Sequence, residues 1–425
     1  MKSDLTRNNR RHFIKYGACL SAGIALLNAG CAQQEDFAAF TRRLIDASNK
    51  PVLRKDLFTS SVTIESIDLL RRDNQFFVHV RSTDGAEGLA MTNRTLINSV
   101  YPLLLNRVAP IFIGKDARDL EALLNDVFVS KLNYKWQGAP FWMCVAWVEF
   151  AILDLLGKTI GQPVGVLLGN RLRDETSIYY ANGDRSSSAE NVVDQLKGLI
   201  QKSGAQAVKF KLGARMRFDD ASTARDIALI PLARKELGDE TILYTDANSS
   251  FDVPTAIRIG KLLEANNYSF FEEPVQFDYL EETKAVAEAL NIPIAGGEQE
   301  SSMRRFRWLI ENDAVQIPQP ELLFFGGLIR CIRVARMAEV AGKKVVPHMS
   351  GFGLGILYVL HYASVVPNSN EFQEYKGDKD GIPYEVVGTG RPLESIKGVI
   401  QIPKGPGLGV AFDPSYMSSA QRVQL

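Results

Sequence analysis

The spacing of apolar residues changes twice along the chain, and each change marks a different kind of segment. Residues 1–32 carry their apolar side chains in one block, Tyr16 to Leu27, after a basic stretch with Arg7, Arg10, Arg11 and Lys15. Small residues follow, Asn28-Ala29-Gly30-Cys31-Ala32. That order predicts an export signal, because an amphipathic helix would space the same residues three and four apart. Residues 33–57 are polar apart from Phe37, Phe40, Leu44 and Ile45, which predicts a leader segment with one short helix. From Val62 the period drops to two: 62–67 and 76–80 read as half-buried strands, and Gly85 and Gly88 punctuate the stretch after them. Helical spacing then runs over 98–108, 120–127 and 141–157, the last with Val145, Val148, Ile152 and Leu155 along one face. Strands first and helices after predict an α+β domain over 58–175.

From Ser177 the pattern becomes regular. Short apolar runs recur at 178–181, 207–212, 242–245, 268–271, 292–295, 315–318, 344–346 and 371–373, and amphipathic helical segments fill most of the gaps. Eight strands alternating with helices over about 200 residues predict a closed parallel barrel in preference to an open doubly wound sheet. No Gly-x-Gly-x-x-Gly follows the first strand, so no dinucleotide site is expected; the glycine-rich 351–355 comes too late in the chain.

Composition narrows the partners. Lys plus Arg is 49 and Asp plus Glu is 49, so the chain of 425 residues has no net charge with which to attract nucleic acid or an anionic membrane. No apolar run approaches the roughly 20 residues of a bilayer span, so no transmembrane segment is expected. Arg10-Arg11-His12-Phe13-Ile14-Lys15 resembles a twin-arginine signal, which predicts a periplasmic protein. Leu27-Asn28-Ala29-Gly30-Cys31 resembles a lipoprotein box, which would place a lipid anchor on Cys31. The remaining cysteines, Cys144 and Cys331, stand in apolar helical contexts and predict neither a disulfide framework nor zinc.

The candidate chemistry lies where a barrel keeps it, at the C-terminal ends of the strands. Asp246, Glu272 and Glu298 close three successive strand candidates at equal spacing, one strand-helix unit apart. Three converging carboxylates repel one another and need either raised pKa values or a cation. Oxygen-only ligands suit a hard divalent ion such as Mg²⁺, one per site. Lys209 and Lys211, two apart on a strand, share one face, and neighbouring ammonium groups predict a lysine with a lowered pKa. His348 ends the seventh strand, and Glu321, one strand earlier, is placed to accept its Nδ1–H.

Taken together these residues resemble the enolase superfamily, and within it the mandelate racemase subgroup. The resemblance rests on Val208-Lys209-Phe210-Lys211, Asp246-x-Asn248, Phe271-Glu272-Glu273-Pro274, Gly297-Glu298, Gly326-Gly327 and His348, and on the run from Val148 to Lys158. It spans roughly residues 58–400. It implies a modified (β/α)7β TIM barrel over 176–378 and an α+β capping domain completed by a C-terminal segment, 379–425. It further implies Mg²⁺ on Asp246, Glu272 and Glu298, and removal of the proton α to a substrate carboxylate through an enediolate. Lys211 would be the base on one face, tuned by Lys209, and His348 the base or acid on the other. Glu374 would hydrogen-bond the substrate carboxylate and Asn248 would contact it beside the metal. The family pairs its histidine with an aspartate, where this chain has Glu321.

Bases on both faces allow two reactions: dehydration of an acid sugar to a 2-keto-3-deoxy acid, or racemisation and epimerisation. Candidate specificity loops carry Asn93 and Arg94, and Tyr134 and Trp136. Their cations, amides and aromatics suit a polyhydroxylated or doubly anionic acid, so dehydration is the expected reaction. A non-catalytic sugar-acid binder is the reading from a different class. The expected partners are a small-molecule carboxylate and further copies of the same chain.

Overall fold

The computed structural model describes residues 36–425 other than 352, 378 and 379; the predicted export signal and Cys31 lie outside the described residues. Alternation over 62–80 folds as predicted into a hairpin of β1 (Ile64–Arg72) and β2 (Gln75–Ser82), extended by β3 (Glu87–Met91). The helix Ala139–Thr159 lies across this sheet. The approach is close enough that a Cβ on Gly88 would overlap the backbone of Ala151 and Leu155. The expected helix over 98–108 is broken. Pro102 and Pro110 each remove an amide donor, and the segment divides into Ile97–Leu103, a π-helical turn over Leu104–Val108, and Ala109–Phe112.

Six of the predicted barrel strands pair in parallel and in sequence: β4 (Glu175–Asn182), β5 (Ala207–Lys211), β6 (Ile242–Asp246), β7 (Phe270–Glu272), β8 (Ile294–Gly296) and β9 (Ile317–Pro318). The seventh place is taken by 345–348, which joins through isolated bridges, Glu321 to His348 and Val345 to Ser369. Pro318, Pro320 and Pro347 withhold amide donors there, so a continuous ladder cannot form. The ring closes where β10 (Phe372–Tyr375) pairs with β4. Its interior is a packed core, with Tyr179, Tyr244, Phe270, Val346 and Phe372 beneath the strand ends and the Tyr244 and Phe270 rings stacked at 4.1 Å.

The chain then returns to what it has already built. Of β11 (Tyr384–Val386), β12 (Val399–Gln401), β13 (Val410–Phe412) and β14 (Gln421–Arg422), β12 adds to β4 and β14 adds to β1 in the cap. The leader helix Phe37–Asn49 packs against the barrel helix Leu328–Val340, and Arg336 binds the carbonyls of Lys50 and Pro51 at 2.6 and 3.1 Å.

The helix Ala139–Thr159 corrects one expectation. Its 21 residues are long and apolar enough, by length and composition, to cross a bilayer. Here every residue from Phe141 to Gly157 is buried against cap and barrel. Two buried acids on it act as clamps. Glu149 accepts the amides of Leu328 and Ile329, at 2.6 and 3.1 Å, at the N-terminus of a barrel helix. Asp154 accepts the amides of Leu89 in the cap and Leu408 in the C-terminal segment, both at 2.8 Å. At Gly327 (φ 105°) a Cβ would collide with the Glu149 carboxylate.

Glu149→Ala strands two buried amides and leaves a void. Urea denaturation is expected to show a loss of about 3 kcal/mol. A loss below about 1 kcal/mol would show that the clamp contributes little.

Candidate active site

The strand register brings the acids together. Lys211 pairs with Asp246 across β5 and β6, and Asp246 with Glu272 across β6 and β7, so successive strand ends present successive side chains at one level. Glu298 follows β8 by two residues. One carboxylate oxygen from each of Asp246, Glu272 and Glu298 lies within 4.8 Å of the others, and all three residues are buried.

Buried charges this close perturb one another. Burial, then the charges of Asp246 and Glu298, push the Glu272 carboxyl up to about 8. Asp246 goes the other way: burial would raise it, but the ammonium groups of Lys211 and Lys209 hold it down to about 2. Glu272 Oε1 is buried with no hydrogen-bond donor among the described residues. An oxygen-only donor set with excess negative charge and an orphaned carboxylate oxygen fits a hard divalent cation such as Mg²⁺.

Lys211 contacts Asp246 Oδ2, at one end of the row of acids. Lys209 is wholly buried, 2.7 Å from Glu272 Oε2 and 3.0 Å from Glu374 Oε1. For Lys209 this corrects the expectation of a lowered pKa. Burial alone would pull the Lys209 pKa down, yet Glu272 and Glu374 outweigh it and hold it well above the ordinary value. Lys209 is therefore a fixed ammonium that pins two carboxylates.

His348 stands at the opposite end of the row. Its Nδ1 contacts Glu321 Oε2, and Ser350 Oγ donates to the same oxygen at 3.1 Å. The other Glu321 oxygen accepts the Leu323 amide at 3.0 Å. The longer glutamate thus makes the predicted pair, with its carboxylate fixed by its own loop. His348 Nε2 faces the cavity, 3.3 Å from Glu298 Oε2 and 3.2 Å from Glu374 Oε2. Burial disfavours the imidazolium, but the Glu298 and Glu374 carboxylates outweigh both that and the opposing Lys376, and raise its pKa. Asn248 Nδ2 lies 3.3 Å from Glu298 Oε1, and its backbone amide donates to Asp246 at 2.7 Å.

A cavity of 870 Å³ opens over these groups, lined among others by Lys211, Asn248, Glu298, His348 and Glu374. Lys376 also lines it, with Nζ 3.2 Å from both His348 Nε2 and Glu374 Oε2. Sequence reasoning passed over Lys376, although its position two residues beyond Glu374 repeats the spacing that singled out Lys209 and Lys211. Arg185, which binds Asn248 Oδ1, left no such signal. Asn93 and Arg94 line an adjoining chamber of 320 Å³. Tyr134 and Trp136 line neither space, which corrects their assignment: both are exposed, and Trp136 lies 6.0 Å from the Arg107 guanidinium. Lys131 and Leu132, both left-handed (φ 50° and 60°), set the course of that loop.

Comparison with known proteins agrees with this geometry. Residues 60–169 match the N-terminal domain of mandelate racemase/muconate lactonizing enzymes, and residues 191–416 match the enolase C-terminal domain-like family. A D-galactarolactone cycloisomerase from Agrobacterium fabrum is 28% identical, over 71% of this chain and 79% of its own length. A D-galactonate dehydratase from Ralstonia pickettii is 30% identical, over 72% of this chain and 85% of its own length. Among solved structures, a mandelate racemase/muconate lactonizing protein from Paracoccus denitrificans, complexed with magnesium, superimposes with a TM-score of 0.77 at 26% identity, covering 86% of this chain and 100% of that one. A cap matched by one domain family and a barrel matched by the other make this chain a member of the mandelate racemase/muconate lactonizing family within the enolase superfamily.

Proposed function

We propose that this enzyme dehydrates an acid sugar to a 2-keto-3-deoxy acid. The observation that carries the reading is the placement of Lys211 and His348 at opposite ends of the acid row, both facing one cavity. The relatives named for acid-sugar chemistry support it.

Asp246, Glu272 and Glu298 would hold Mg²⁺, which when bound supplies positive charge against the substrate carboxylate and against the charge that grows there as the α-proton leaves. Glu374 reaches the cavity and positions that end of the substrate, itself held by its ion pair to the Lys209 ammonium. Lys211 Nζ accepts the α-proton. The C–H electron pair passes into the carboxylate, and then returns to form the α–β double bond as the bond from the β-carbon to its hydroxyl breaks. His348, oriented by Glu321 through Nδ1, gives its Nε2 proton to the departing oxygen, which leaves as water. The enol then becomes the ketone, and the β-carbon becomes a methylene. We also propose, from sequence alone, that residues 1–32 export the enzyme to the periplasm.

Glu298→Gln is expected to lower turnover by about 10³-fold or more with unchanged circular dichroism and Tm, because it removes a ligand from a cavity wall. Unchanged turnover would exclude Glu298 from the metal site. Proton NMR in D₂O separates the two faces. Lys211→Ala should lose α-proton exchange, whereas His348→Asn should keep exchange and lose the 3-deoxy methylene signal. Deuterium at the α-carbon of an intact skeleton, with wild-type protein, would make the reaction an epimerisation. A reporter fused to residues 1–32 should appear in the periplasm, and retention in the cytoplasm would sink the export reading.

A further inference from the structure

The dehydration steps leave Lys376 without a task, although it lines the cavity beside His348. Its Nζ, His348 Nε2 and Glu374 Oε2 form a triangle with all three sides 3.2 Å. A further contact, to the Met349 carbonyl at 3.2 Å, holds the ammonium in place. Glu374 is held in the triangle because its other oxygen is bound by the buried Lys209 at 3.0 Å. The other two lysines are committed elsewhere. Lys209 is enclosed among carboxylates, and Lys211 contacts Asp246 at the far end of the acid row.

An ammonium has three hydrogens to place. Among the described residues the hydrogen bonds of Lys376 go to His348 Nε2 and the Met349 carbonyl, and Glu374 Oε2 receives none. The bond to Nε2 requires a bare nitrogen. During dehydration Nε2 carries the proton to be transferred, so that hydrogen of Lys376 must find another acceptor. An oxygen in hydrogen-bond contact with Nε2 is within reach of an ammonium 3.2 Å from Nε2. The count then closes, with the Met349 carbonyl, Glu374 Oε2 and the departing oxygen for three hydrogens. Charge gives the contact its use. Negative charge grows on the oxygen as its bond to the β-carbon breaks, and a fixed ammonium beside it favours that state over the ground state. Return of a proton to the α-carbon puts no charge on an oxygen at this place, and gains nothing from Lys376.

We propose that Lys376 is a further catalytic residue, which donates a hydrogen bond to the hydroxyl oxygen leaving the β-carbon and so commits the deprotonated acid to dehydration. The inference rests on the dehydration reading above. In that step the electron pair returns from the carboxylate to form the α–β double bond, and the carbon–oxygen bond breaks. His348 Nε2 gives its proton to the oxygen, which leaves as water, and Lys376 keeps all three of its own.

The test follows how the deprotonated acid divides. Proton NMR of the full chain with Mg²⁺ in D₂O, on a library of aldonates and aldarates, gives the ratio of 3-deoxy product to α-deuterated substrate. That ratio reads the leaving step whatever the rate of proton removal. Lys376→Met should lower it about tenfold or more, and Lys376→Arg should recover part of the loss. A lysine that only placed Glu374 would slow product and exchange together, so an unchanged ratio in Lys376→Met would overturn the proposal and leave the dehydration reading standing. Adding Lys376→Met to His348→Asn should lower the residual ratio further, because the contact is to the oxygen itself. Equal ratios in the single and double variants would make Lys376 a positioning residue for His348 and overturn its catalytic role. No 3-deoxy product from any acid by the wild-type protein would remove the dehydration reading, and the departing oxygen with it.

Discussion

Three carboxylates forced together in a buried place repel one another, and the remainder of the site is arranged around that repulsion. The acids cannot separate, because the strand register that pairs Asp246 with Glu272 is the register that closes the barrel. The strain is met by charge. Lys209, wholly buried among Glu272, Glu374 and Asp246, commits its ammonium entirely to them. It cannot neutralise the whole row, since Glu272 keeps an unpartnered oxygen and a raised pKa. A fold that assembles this much uncompensated negative charge at one level is built for a cation.

The second constraint is mechanical. The barrel ladder holds no strand of the cap, yet the chamber beside the reacting groups is walled by the cap loop carrying Asn93 and Arg94. The helix Ala139–Thr159 supplies the link. It lies across the cap sheet while Glu149 ends in the N-terminus of a barrel helix and Asp154 holds amides from cap and C-terminal segment together. A buried carboxylate is a costly fastener, but a directional one: each oxygen must find its donor, so the relative placement of the parts is set more narrowly than apolar packing would set it.

Legibility in the sequence divides along the same line. The strand-end acids, His348 and Glu321 were legible because alternation locates strands and a barrel puts chemistry at their ends. The seventh strand was legible as an apolar run, although its prolines reduce it to bridges. Interactions across strands were not. The spacing of Lys209 and Lys211 says nothing of Glu272 and Glu374, which together reverse the direction of the Lys209 shift. The apolar run of Ala139–Thr159 hid a span-length helix because Glu149 and Asp154 interrupt it, and only the folded partners explain those acids. Tyr134 and Trp136 had the right chemistry on a loop whose left-handed turn at Lys131 and Leu132 carries them elsewhere.

The two kinds of residue therefore answer to different constraints. Asp246, Glu272, Lys211 and His348 are held by a parallel ring, where moving one strand end moves its neighbours. Asn93 and Arg94 sit beyond the end of β3, on a cap loop outside the ladder that closes the ring. Proton abstraction can then stay fixed while the acid that undergoes it changes. For this chain the ring holds the acid row, Lys211 and His348, and the loop at Asn93 and Arg94 walls the chamber beside them.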